Sequence, residues 1–377
     1  MNLFHRNKSY HPVNRIELSN SRLLGNVKLM QQFTNQAVIP VLKSNAYGHG
    51  IEEVASILSG ADVPLVAVDG YFEANQIRHT TKHKVLVMGY IDQRNFALLN
   101  TRRVSFVSQT VNNLQAWGAL GKPVNIHLEL NTGMNRMGIN LNEISSYLNE
   151  LRKWPKLKLE GIMTHLADAD NPSAPAFTNQ QLELFDSAVE KVLQAGFKPK
   201  FIHISQTAGS LKLHSRYANA IRLGIGTYGI NPLAQNDPYY SKLEALQPVL
   251  ALKSHIVKVR ELQEGDKVSY SLTFTAPKPM RIGVLPVGYY EGLPRALSGN
   301  CMLTSGSHRL PVLGRICMNH TMIDITEASL RLGSEVTVVS SSKNDPNSII
   351  SLERQHGQFP YETLTRLSST IHRQIIE

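Results

Sequence analysis

The chain has 377 residues, 42% hydrophobic content, a formal net charge of +10 and two cysteines, Cys301 and Cys317. These values exclude a disordered or fibrous chain, a disulfide scaffold and any apolar run of membrane-spanning length, and they allow two hydrophobic cores. The positive charge is spread without a compact basic block, so it implies attraction for anionic small molecules rather than a nucleic-acid partner.

Residues 1–15 lack the apolar centre of a secretion signal, and a soluble cytoplasmic protein is expected. Val13, Ile16 and Leu18 then add an edge strand or lead into the first domain. Eight short apolar runs follow, at 37–42, 64–68, 84–88, 104–107, 124–130, 159–164, 201–204 and 220–225. Amphipathic segments separate most of them; in 180–193, Leu182, Phe185, Val189 and Val192 recur at helical spacing. Eight strands alternating with helices predict an α/β fold, a (β/α)8 TIM-like barrel over residues 1–245. An open doubly wound sheet is the rival, weakened because no dinucleotide-binding glycine fingerprint follows the first run. From about residue 246 the runs lengthen and alternate, glycine and proline punctuate them, and helix signals are scarce. A second, mostly β domain is expected over 246–377.

Barrel chemistry gathers at the C-terminal ends of strands. Lys43 ends the first run, Arg136 follows the fifth, His165 ends the sixth, Gln206 and Thr207 follow the seventh, and Arg222 lies in the eighth. A lysine in such a mouth can lose its proton and attack an aldehyde, as in imine formation with pyridoxal phosphate; a surface strand cap is the plainer reading. The Thr207 hydroxyl and the amides around Gly224 and Ile225 suit the phosphate site that barrels form after strands seven and eight. Arg222 suits the pyridine nitrogen of that cofactor. An arginine cannot accept its proton, which limits electron withdrawal and favours return of a proton to the same carbon. Alone, it fits a salt bridge equally well. His165 can pack against the ring and His203 can bond Arg222, or both can be structural. In the second domain Tyr270 follows Val268-Ser269. A phenol is a poor base unless a cation lowers its pKa from about 10; read alone, Tyr270 suits a core or an interface.

Together these residues resemble the alanine racemase family. The matches run in order from 43–50 (KSNAYGHG) and 131–138 (NTGMNRMG) through 164–170, 222–225 and 268–270 to 288–289, 314–319 and Tyr361-Glu362. They span nearly the whole chain, and the first two are highly specific. The resemblance implies an N-terminal barrel, a C-terminal β domain, pyridoxal 5'-phosphate and a homodimer with shared active sites. It implies that Lys43 holds the cofactor and serves one face of the substrate's α-carbon, while Tyr270 of the other subunit serves the opposite face. Arg136 would touch the cofactor's phenolic oxygen and the substrate carboxylate, which the backbone at Met318 of the partner subunit would also bind. Tyr47, Thr207, Gly224, Ile225 and Tyr361 would hold the phosphate, and Tyr289 of the partner subunit would narrow the entrance.

The chain departs from the family pattern in places. Glu129 stands where a lysine, often carbamylated, is common, and it can bring negative charge directly. Asn131 and Asn319 stand where aspartate is usual, Gln206-Thr207 where asparagine-serine is usual, and Glu291 where aspartate is usual. The resemblance implies a racemase of a small amino acid, alanine first, supplying the D-isomer for cell-wall peptide. Serine, lysine or a broad substrate range is the nearest alternative. A decarboxylase is disfavoured by Arg222, and a non-catalytic pyridoxal-binding protein by the presence of both Lys43 and Tyr270. No metal, nucleic acid or membrane is implied.

Overall fold

The computed structural model describes residues 11–173 and 175–377. They divide into two compact units: Asn20–Val249, and the residues before Asn20 together with Leu250–Glu377.

The first unit is a nearly closed barrel of parallel strands. These are β1 (Ala37–Pro40), β2 (Leu65–Val68), β3 (Lys84–Val87), β4 (Val104–Ser108), β5 (Val124–Asn131), β6 (Leu157–Met163), β7 (Phe201–His203) and β8 (Ala220–Leu223). They pair in the order β1-β8-β7-β6-β5-β4-β3-β2. β1 and β2 meet through one bridge, Val41 opposite Ala67, beside a bond from the Leu42 N–H to the Ala67 carbonyl (2.7 Å). β1 and β8 share a longer register, Ala37 to Pro40 against Ala220 to Leu223. Strands buried on both faces read as continuous apolar runs. All four side chains of β2 are buried, with Leu65, Val66 and Val68 each contributing about 1.5–3 kcal/mol. The helices cover the outside through one apolar face. Ile51–Leu58 buries Ile51, Val54, Ala55, Ile57 and Leu58. Pro175–Gln194 buries Phe185, Val189 and Val192, but Leu182 is only half-buried and Gln181 turns inward instead. The Gln181 amide clasps the loop after β6, donating to the His165 carbonyl (3.0 Å) and accepting from the Ala167 N–H (2.9 Å).

The second unit is built on a nine-stranded sheet. The N-terminal strand Arg15–Ser19 belongs here, between Leu250–His255, to which it is antiparallel, and His372–Ile376, to which it is parallel. It is therefore an interior strand of this sheet and not an edge, with partners distant in sequence on both sides, and the chain passes directly from it into the helix Asn20–Thr34 of the first unit. The long alternating run at 250–262 is two strands, Leu250–His255 and Lys258–Leu262, which pair with different neighbours. Two helices, Ile349–His356 and Pro360–Thr365, also occur in this unit. Their start signals are a Ser348 cap on the Ser351 N–H and a proline at the first turn. Among the described residues, no helix is long and apolar enough to cross a membrane.

Candidate active site

A cavity of about 330 Å³ opens at the C-terminal ends of the barrel strands, and Lys43, Tyr47, Glu129, Arg136, His165 and Arg222 help line it. Lys43 directly follows buried Leu42 and starts a tight turn. In that turn Ser44, Asn45, Ala46 and Tyr47 all have φ between 52° and 56°. A left-handed run costs non-glycine residues roughly 1–2 kcal/mol each, so outside contacts must hold it. The Ser44 N–H donates to Glu73 Oε1 (2.6 Å), and Asn45 Oδ1 accepts from the Ile51 N–H (2.9 Å). Gly48 and Gly50, with φ of 81° and 105°, complete the reversal.

Arg222 is 3% exposed and spends its guanidinium on acceptors. Nη1 donates to the His203 carbonyl (2.8 Å) and to His203 Nδ1 (2.9 Å). Nη2 donates to the Thr164 and Ile204 carbonyls (2.6 and 3.1 Å) and to His165 Nδ1 (3.2 Å). Burial pulls Arg222 down to about 10, with Glu129 opposing and Arg136 assisting; it stays cationic at neutral pH. Burial, and then the charges of Arg222, Arg136 and Lys43, pull His165 down to about 3. His203 is also driven well below its ordinary value, by burial and then by Arg222 and His127. Both imidazoles are therefore neutral and present a bare Nδ1 to the arginine.

Glu129 is buried, and its Oε2 accepts from Gln109 Nε2 at 3.0 Å. Desolvation raises its pKa, against the Gln109 bond and the charges of Arg222 and Arg136. Arg136 is exposed, on a loop organised by Asn131. Asn131 Oδ1 accepts from the Gly133 and Asn135 N–H groups (3.2 and 3.0 Å), and its Nδ2 donates to Asn135 Oδ1 (3.0 Å). The last bond needs a donor that an aspartate lacks, which accounts for the amide here. Gln206 forms a turn, its Oε1 accepting from the Gly209 N–H (3.1 Å).

Tyr47, Thr207, Gly224 and Ile225 cluster at one side of the barrel mouth. A Cβ on Gly224 would stand 2.9 Å from the Tyr47 hydroxyl and 4.0 Å from Thr207 Oγ1, so the missing side chain leaves a small cradle between them. Thr207 Oγ1 accepts from the Gly226 N–H (3.2 Å). Ile225 begins a short 3-10 turn, Ile225–Tyr228, with Gly224 before it. Burial pushes the Tyr47 phenol up to about 12, which keeps it a neutral donor.

Tyr270, Tyr289, Met318 and Tyr361 lie in the other unit. Tyr270 is 67% exposed and sits between Ser269 and Ser271, whose φ values are 68° and 60°. Ser269 Oγ donates to the Arg315 carbonyl, which ties this strained turn to the 314–319 loop. Tyr270 and Tyr289 line one cleft of about 450 Å³. The Met318 carbonyl accepts from the Tyr290 N–H (3.0 Å). Next to it, Asn319 Nδ2 donates to Glu291 Oε1 (2.8 Å), while Glu291 Oε2 accepts from the Gly288 N–H (2.8 Å). An amide thus bridges to a carboxylate that already holds the tyrosine loop. Tyr361 stacks on Phe359, ring centroids 5.1 Å apart.

Three supporting residues escape a reading of the sequence: Gln109, Glu73 and His127. Gln109 lies just past the end of β4, Glu73 in the first turn of the helix Tyr71–Ile77, and His127 is a buried polar residue in the otherwise largely apolar β5. Among the described residues no cluster of potential metal ligands occurs.

The family model described as "Alanine racemase, N-terminal domain" matches residues 18–232, and "Alanine racemase, C-terminal domain" matches 249–375. An alanine racemase of Methanococcus maripaludis is 32% identical over 373 residues, covering 96% of this chain and 98% of its own. One of Aquifex pyrophilus is 30% identical over 364 residues, with the same coverages. Among solved structures, alanine racemase of Clostridium difficile superposes with a TM-score of 0.89 at 26% identity, over 98% of this chain and 97% of the other. That of Bacillus anthracis with bound L-Ala-P gives 0.88 at 27% identity, over 98% and 96%. With both family models matched in order along a barrel and a sheet unit of this kind, the chain belongs to the alanine racemase family.

Proposed function

We propose that the protein interconverts L- and D-alanine by a two-base mechanism, with pyridoxal phosphate as its resident cofactor and a homodimer as its working form. The observation that carries this reading is the pairing of Lys43 at the mouth of the cavity with the buried, cationic Arg222 lining it. A decarboxylase needs a strong electron sink, and a guanidinium cannot receive the proton that such a sink requires.

The residues present fit the cofactor. The Gly224 cradle beside the Tyr47 hydroxyl has room for a phosphate oxygen where a Cβ would intrude. Tyr47, Thr207, the Gly224 and Ile225 amides and Tyr361 would hold the phosphate. Lys43 would hold the aldehyde carbon, Arg222 would face the ring nitrogen, and neutral His165 would pack against the ring. When bound, the cofactor supplies an electrophilic carbon for the amine and a conjugated system that eases loss of the α-proton.

The chain's own groups do the rest. Arg136 and the N–H of Met318 of the partner subunit bind the substrate carboxylate, and Glu129 offsets the positive charge that Arg136 and Arg222 bring to the cavity. It does so without a carbamate. The Lys43 amine takes or returns the proton on one face of the α-carbon, and Tyr270 of the partner subunit does so on the other. A single base would return the proton to the face it came from; two opposed groups allow inversion in both directions. The exposure of Tyr270 supports its use by a second copy. Tyr289 of the partner subunit narrows the entrance, which favours a small side chain, and His203 steadies Arg222. The setting that fits is cytoplasmic supply of D-alanine for cell-wall peptide.

The test is a racemisation assay across the twenty amino acids with pyridoxal phosphate added, followed by polarimetry. Fast loss of rotation with L-alanine supports the reading. Faster turnover of serine or lysine would move the substrate assignment, and carbon dioxide release without racemisation would overturn it.

A further inference from the structure

The barrel interior holds a line of polar side chains of which only Arg222 lines the cavity. Each of β3 to β8 contributes one residue: Lys84, Ser105, His127, Glu160, His203 and Arg222. His203 Nε2 lies 2.9 Å from His127 Nδ1, and His127 Nε2 lies 3.4 Å from Glu160 Oε2. Glu160 Oε1 accepts from Lys84 Nζ and Oε2 from Ser105 Oγ. Both histidines and Ser105 are fully buried, and Glu160 is 8% exposed. Gly161 makes room for the line, because a Cβ there would stand 2.3 Å from His127 Nδ1.

The protons in this line can be placed by chemistry. An arginine only donates, so His203 Nδ1 must be bare. A neutral His203 then carries its proton on Nε2 and gives it to His127 Nδ1, which must also be bare. His127 therefore carries its proton on Nε2, aimed at Glu160. Every donor from Arg222 onward points the same way, and the series ends on one carboxylate, which Lys84 and Ser105 approach from their own strands. Burial alone would raise Glu160, but the bonds from His127, Lys84 and Ser105 outweigh it and hold it down at about 2. The acceptor is thus a full anion at neutral pH.

We propose that Glu160, anchored by Lys84 and Ser105, sets the tautomers of His127 and His203 and so acts as a positioning residue for Arg222. Without that anion the Nε2 proton of His127 has no acceptor. His127 can then move its proton to Nδ1, where it opposes the Nε2 proton of His203. That ring must tip or change tautomer in turn, and a proton on His203 Nδ1 would push against the guanidinium. The proposal rests on the reading that Arg222 serves the racemase site.

The test is imidazole nitrogen NMR on the full-length protein labelled with 15N-histidine. In the wild type, His127 and His203 are expected as Nε2–H tautomers with pyridine-like Nδ1 signals. Glu160→Gln puts an NH2 group where donors converge, and it should give mixed or reversed tautomers at His127. It should also lower kcat about tenfold, the equivalent of one charge-assisted hydrogen bond, with KM changed less than twofold. Unchanged tautomers in a folded Glu160→Gln protein overturn the proposal. If that variant does not fold, Lys84→Met and Ser105→Ala carry the test: each should shift the His127 signals in the same sense, and no shift in either overturns it. The NMR signals report the line whether or not the protein turns over alanine, so failure here is distinct from failure of the racemase reading.

Discussion

Gln109 Nε2 donates to Glu129 Oε2 at 3.0 Å inside the barrel mouth, so a neutral amide braces a carboxylate that lines the cavity with Lys43, Arg136 and Arg222. Glu129 must be charged to balance Arg136 and Arg222, yet it is buried.

That conflict has a pH signature. Burial raises Glu129 above its ordinary 4.5, so the folded protein binds this proton more tightly than the unfolded chain. Stability attributable to Glu129 is therefore lost as pH rises from 4.5 through the raised value, and the penalty is complete above it. Glu129→Gln is expected to be more stable than wild type at pH 7 and to lose about tenfold or more in kcat/KM. Urea midpoints and racemisation rates check the two halves. Electron density or intact mass showing a modified residue 129 would count against its role as a ready-made charge.

The cradle at Gly224 predicts cofactor affinity. Tyr47→Phe removes a phenol that burial keeps protonated, and should weaken pyridoxal phosphate binding about tenfold, the loss of one bond to a charged group. Gly224→Ala places a Cβ 2.9 Å from that hydroxyl and should weaken binding more. Titration followed by cofactor absorbance reads both; equal affinity in the two variants and the wild type would remove the phosphate assignment.

Sharing of sites between subunits predicts complementation. Lys43→Ala and Tyr270→Phe chains should each be inactive as homodimers. Mixed dimers should regain up to about half of the wild-type sites, because one of the two sites receives both intact groups. Verified hybrids that recover nothing would show that both groups serve the site from the same subunit.

Acid should destabilise the barrel. His127, His165 and His203 are all depressed below their ordinary 6.5, chiefly by burial, His165 to about 3. The folded state binds fewer of these protons than the unfolded one, so their stability is complete above pH 6.5 and drains away as pH falls below it. The slope reaches about 1.4 kcal/mol per pH unit for each histidine. Glu129 runs the opposite way, but it is one group against three. Urea midpoints at pH 7.5, 6 and 5 should fall steadily; a flat profile would mean that the imidazoles charge freely in the fold.

The barrel was legible because its strands are short apolar runs between amphipathic helices, and a strand such as Leu65–Val68 has no wet face to obscure the pattern. Lys43, Arg136, His165 and Arg222 were legible because each lies at or just beyond a strand's C-terminal end. Glu160 and His127 were not, since a polar residue alternating with apolar ones reads as solvent-facing, whereas in a barrel the same face lines the interior. Gln181 was hidden in the same way on its helix. The partners of Arg15–Ser19 could not be read locally, because a strand's own residues do not say which distant segment will take its hydrogen bonds.

The turn after Lys43 bears on how the enzyme is made. A peptide of this sequence has little reason to curl left-handed by itself, and two of the bonds that hold the turn, from Glu73 and the Ile51 amide, come from later in the chain. During synthesis the lysine is therefore undirected until the following strand and helices have emerged and docked. Its aim is a product of assembly, and a chain cut short before Glu73 would carry an ordinary lysine.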